Sequence, residues 1–118
     1  IDYVSALEEM LTVDGLLILQ AANCNAQVPA KIYEYFCAGR PIVALTDAEG
    51  DTAQTLRRAP TSLTPPLDSV AGIAAVLREF VQRTDSHQWR PMSAEAVREF
   101  SREHRTEEIA AIFEGLRR

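Results

Sequence analysis

Eleven of the chain's twelve basic residues are arginines, and the one lysine, Lys31, stands three residues before Glu34 in the stretch VPAKIYEYFCAGRPIVA. Pro29 and Gly39 predict a helix with proline in its first turn and glycine just past its end. At about 100° per residue, Val28, Ile32, Tyr35 and Phe36 share one apolar face. Gln27, Lys31 and Glu34 fall on a separate stripe, beside the small residues Ala30 and Ala38. A cation in a first turn opposes the helix dipole by about 0.3–1 kcal/mol. An ion pair with Glu34 returns only about 0.2–0.5 kcal/mol, and lysine before glutamate is the poorer order. An anion bound at the free N–H groups of the same terminus reverses the sign of that cost. An anion site and a solvated face carrying a plain surface pair are therefore the two readings of this stripe.

Other residues capable of chemistry are less organised. Asp47, Glu49 and Asp51 precede a predicted helix, where carboxylates serve as caps, and three acids repel a phosphate. Gly50 among them would let a ligand approach the backbone. His87 falls in a linker beside Trp89, and His104 in a charged helical stretch; neither has a partner at metal or triad spacing. Cys24 and Cys37 show no metal or redox spacing either, which reads as free thiols in a reducing compartment and places the chain in the cytosol. Tyr33 and Tyr35, on either side of Glu34, are expected to pack. No Walker loop or GxGxxG occurs.

The elements that must position these groups alternate. A short amphipathic helix over Ser5–Leu11 is followed by the apolar run Leu16–Gln20, read as a buried parallel strand, and then by a polar loop. After the helix carrying Glu34 comes a second buried strand, Pro41–Thr46, then a helix to about Arg58 and a short third strand in TSLTPP. Asp68 or Ser69 caps a long helix whose Ile73, Val76, Leu77, Phe80 and Val81 form one apolar face. DSHQWRPM reads as a linker, and helices over roughly Ala94–His104 and Thr106–Leu116 close the chain. Alternating strands and helices imply an α/β fold, a small parallel sheet flanked by helices on both faces. Three strands are about half of a doubly wound domain, so the fold expected is a partial Rossmann-like one. Ligands of such sheets bind beyond the carboxyl ends of the strands, which here means the loops Ala21–Ala30 and Thr46–Thr52.

Bulk properties narrow the class. At 118 residues the chain holds at most one domain. The net charge of −5 weighs against nucleic-acid binding, which draws on clustered basic charge. No apolar run reaches membrane-spanning length, and no secretory leader is apparent. The chain opens at Ile1 rather than methionine, which suggests a piece of a longer protein.

The run DGLLILQ followed by NAQVPAKIYEYFCAGRPIVALTDAEGDTAQTLRRA resembles the C-terminal domain of GT-B fold glycosyltransferases, particularly the large retaining family 4 group. PPLDSVAGIAAVLREF and EFSREHRTEEIAAIFEGL resemble the last helices of those enzymes, so the likeness covers nearly all of 1–118. The resemblance implies the donor-binding part of an enzyme that transfers a sugar from a nucleotide-diphosphate sugar to a saccharide or lipid acceptor. Glu34 would bind the donor ribose, and Asn25, Gln27, Val28, Ala30 and Lys31 would lie by the diphosphate and the transferred sugar. A carboxylate suits a vicinal diol, two acceptor oxygens facing two O–H donors. Many members carry a second glutamate two turns earlier, where this chain has Ala26. The family likeness also implies retention of configuration, no metal or other cofactor, no catalytic residue within this half-domain, and an N-terminal domain of the same polypeptide as partner. Peripheral membrane association of the complete enzyme and homodimerisation of the piece through an open edge strand are further expectations. Two non-enzymatic readings stand beside this one. PIVALTD is similar to a receiver-domain strand ending in a switch threonine, although Gln20 rather than aspartate ends the first strand. The chain also reads as an autonomous α/β interaction module.

Overall fold

A computed structural model describes residues 1–117; Arg118, the last residue of the expected domain, lies outside them. The elements are α1 (Tyr3–Thr12), β1 (Leu16–Leu19), α2 (Lys31–Ala38), β2 (Ile42–Leu45), α3 (Asp51–Arg57), β3 (Ser62–Leu63), α4 (Val70–Asp85), α5 (Ala94–Arg98) and α6 (Arg102–Leu116). The strands form one parallel sheet in the order β1-β2-β3, with Leu16 opposite Ile42, Ile18 opposite Ala44, and Ile42 opposite Ser62. This is the expected α/β architecture, a small parallel sheet between helices.

Strand periodicity assigns the two faces. Leu16, Ile18, Ile42 and Ala44 point to one side, where Ile32 and Phe36 of α2, Leu56 of α3, Ala59 and Phe100 complete the core. The opposite face carries Gly15, Leu17, Leu19 and Val43. Val43 is buried, and α4 packs over β2 there. A β-carbon on Gly15 would lie 2.6 Å from the Phe80 ring, so glycine is what lets α4 close over the start of β1. Cover ends at that point: Leu17 is 47% exposed and Leu19 69%. The reading of β1 as a strand buried on both faces is therefore corrected, because α4 is centred on β2 and leaves the edge strand bare. For the same reason Leu77 and Val81, at the margin of the α4 apolar stripe, remain exposed.

Helix boundaries follow local chemistry. Asp2 caps α1 by accepting from the Ser5 N–H, and Ser69, not Asp68, caps α4. Gly39 closes α2 in the left-handed conformation at φ 67°. One division differs from expectation: α5 and α6 part at residues 99–101 rather than near 105. Phe100 turns into the core, 4.7 Å from the Phe36 ring and 6.4 Å from Tyr33, and Ser101 then caps α6 through the His104 N–H.

Candidate functional site

The carboxyl ends of β1 and β2 meet at a hydrogen-bonded knot centred on Gln20. Its amide donates to the carbonyls of Cys24 (3.1 Å) and Gln27 (2.9 Å), and its Oε1 accepts from the buried Thr46 hydroxyl at 2.9 Å. The Gln27 carbonyl accepts a second bond, from the Thr52 hydroxyl of α3 at 2.9 Å. Asn25 ties the same loop to its neighbour. Its amide donates to Asp47 Oδ2 at 2.9 Å, and its carbonyl accepts the Asp51 N–H at 2.8 Å. These bonds fix the loop between β1 and α2 against the loop between β2 and α3, and so aim the start of α2 over the sheet's carboxyl edge.

That start carries no side-chain cap. Ala30 occupies the cap position, and among the described residues the N–H groups of Val28, Ala30 and Lys31 find no protein acceptor. The helix begins at Lys31, and Pro29 lies just ahead of it, its carbonyl accepting from the Ile32 N–H in a tight first turn. Lys31 is exposed and forms no ion pair with Glu34, an arrangement that suits a solvated face as well as an anion site. Glu34, half-buried, instead accepts a hydrogen bond from the Tyr3 hydroxyl of α1, 3.1 Å from its Oε1. That bond and the adjacent carboxylate charge raise the Tyr3 pKa above its ordinary value, with Arg102 acting weakly in the opposite sense. The second carboxylate oxygen, Oε2, has no protein donor among the described residues.

The expected contact residues separate into two groups. Gln27, Ala30 and Lys31 are open to solvent at the helix start, with Glu34 one turn on. Val28 packs its side chain against the core, and the Asn25 amide is committed to Asp47 while its Oδ1 is shut away without a partner. These two position the loop and leave only backbone for a ligand. The expected capping by the acids of the second loop is corrected: Gly50 takes the α3 cap position with no side-chain bond, Asp51 only adds charge to the first turn, and Asp47 Oδ1 accepts the Glu49 N–H at 2.9 Å within the loop. That bond first, and the Asn25 amide second, hold the Asp47 carboxyl below its ordinary pKa. Gly50 packs against Asn25, where a β-carbon would sit 3.3–3.4 Å from backbone atoms, so its small size serves loop packing.

Tyr33 and Tyr35 pack against the core as expected, and both cysteines are free. Among the described residues no group assembles three metal-binding side chains, and no helix is long and apolar enough to cross a membrane. Sequence reasoning missed Gln20, Thr46 and Thr52 as the knot behind the site, and Tyr3 as the partner of Glu34. A glutamine ending an apolar strand was the one available signal. Comparison with protein-family models, curated proteins and solved structures finds no match.

Proposed function

We propose that this chain is the donor-binding part of a glycosyltransferase that uses a nucleotide-diphosphate sugar, with transfer to a saccharide or lipid acceptor completed by an N-terminal domain. One observation carries the reading: a carboxylate with a free oxygen stands one turn beyond an uncapped helix start, at the carboxyl edge of a parallel sheet. Free N–H groups and a dipole favour phosphate at the helix start, and Glu34 favours a diol. A nucleoside diphosphate offers both in sequence. Lys31 and the Gln27 side chain then lie beside the diphosphate and the transferred sugar, while Asn25 and Val28 hold the loop. In this reading no metal takes part and configuration at the sugar is retained. The bare edge of β1 is where the preceding half of the domain adds its strand.

Calorimetric titration with UDP- and GDP-sugars tests the reading. Binding of at least one donor, weakened about tenfold or more by Glu34→Ala, is the expected result, because a hydrogen bond to a charged group contributes about 1.5–3 kcal/mol. Unchanged donor affinity in Glu34→Ala contradicts it. The alternative, a non-catalytic interaction module, is favoured by the exposed Leu17 and Leu19 on the open edge. It predicts self-association or partner capture with no nucleotide bound.

A further inference from the structure

Glu34 also forms part of the wall of a cleft of about 460 Å³ between α2 and α6. Ala30 and Glu34 stand on one side, Arg102, Arg105 and Ile109 on the other, and Tyr33 and the edge of Phe100 close the bottom. The α6 side was read from the sequence only as a charged surface helix. Arg102 is exposed and has no ion pair among the described residues, whereas Arg105 pairs with Glu108 at 2.8 Å. The cleft thus brings together a carboxylate with one free oxygen, an uncommitted guanidinium, a second guanidinium and an aromatic floor. Lys31 is absent from this wall, so the cationic groups facing Glu34 across the cleft come from α6.

The geometry points to this cleft as the seat of the ribose and inner phosphate of a nucleoside diphosphate, with Glu34 on the ribose diol and Arg102, supported by Arg105, on that phosphate. The outer phosphate lies at the α2 start, which Ala30 shares with the cleft. The inference rests on the donor-site reading of Glu34 and goes beyond it by assigning α6 a share in the ligand. Guanidinium groups meet phosphate oxygens with paired N–H donors. A carboxylate alone would repel the diphosphate, and two arginines opposite Glu34 offset that repulsion. The size suits the ligand, since small-molecule sites run to about 300–1,000 Å³. Tyr33 and Ile109 supply apolar surface for a base or a ribose face. Tyr3 bonds Glu34 Oε1 and leaves Oε2 for the ligand.

The test is calorimetric, on the full chain, with UDP and GDP against uridine and guanosine, at two salt concentrations. Arg102→Gln is expected to weaken the diphosphates about tenfold or more and to flatten their salt dependence, with the nucleosides little changed. Glu34→Gln is expected to weaken nucleosides and diphosphates alike. Arg102 is exposed, so the variant should fold; matching circular dichroism and denaturation midpoints establish that it does, and Arg102→Lys should recover part of the affinity. If the diphosphates bind, and depend on Glu34, yet Arg102→Gln and Arg105→Gln leave their affinity and salt dependence unchanged, the α6 seat is wrong and the donor-site reading stands. If neither diphosphates nor nucleosides bind, both fall together.

Discussion

Gln20 makes three hydrogen bonds in the knot: the Cys24 and Gln27 carbonyls each have a second donor, but the Thr46 hydroxyl, with no solvent access, has Gln20 as its acceptor. An unsatisfied buried polar group costs about 1–3 kcal/mol. Gln20→Leu should therefore lower stability by about 2 kcal/mol in denaturant unfolding and speed amide exchange across residues 22–30. Gln20→Glu should do the same, because a carboxylate cannot donate to two carbonyls. Asp47 contributes with a pH dependence whose sign is fixed by its lowered pKa. A carboxyl that ionises more readily when folded stabilises above its unfolded pKa, and that contribution fades as pH falls through the folded value. Denaturation midpoints followed downward from neutral pH should fall more steeply in the native chain than in Asp47→Asn. Equal slopes would contradict the assignment. None of this was legible in the residue types alone, since the Gln20, Thr46 and Thr52 side chains meet only once the strands pair.

Between α1 and α3 the elements were readable because each boundary carries its own signal. Asp14-Gly15, Pro29, Gly39-Arg40-Pro41 and Gly50 punctuate the apolar runs, and the predicted helix and strands over Leu16–Arg58 agree with the structure to within a residue or two. The α5–α6 break was not readable in that way. No glycine or proline marks it, and what ends α5 is the burial of Phe100 against Phe36 and Tyr33, a contact between distant parts of the chain. The buried reading of β1 failed for a related reason: an apolar run does not reveal how far the covering helix extends. Gly39 is an element-scale position sensitive to substitution, because its φ of 67° is left-handed. Gly39→Ala should cost about 1–2 kcal/mol, measurable as a lower denaturation midpoint. The cost comes from the backbone, as a β-carbon there meets nothing within 4 Å.

The molecule as a whole is asymmetric in how well it is covered. One sheet face has α2, α3 and Phe100 over it; the other has α4 over β2 and leaves Leu17, Leu19, Leu77 and Val81 open. Along the free edge of β1, the Leu17 and Leu19 backbone has one partner among the described residues, the Tyr35 hydroxyl, which donates to the Leu17 carbonyl at 3.5 Å. An open ladder beside exposed leucines invites another strand. Concentration-dependent association of this chain in sedimentation analysis, reduced by Leu19→Lys, is the expected result. A monomer at all concentrations would show that the edge needs no cover. The proposed function turns on one narrower point, that the carboxylate of Glu34 receives a nucleotide sugar. Calorimetric titration of the native protein and Glu34→Ala with UDP- and GDP-sugars reads it directly. Saturable binding of one donor is expected, with affinity lower by about tenfold or more in the variant. Equal affinity in both proteins, or no binding to the native protein, would contradict it.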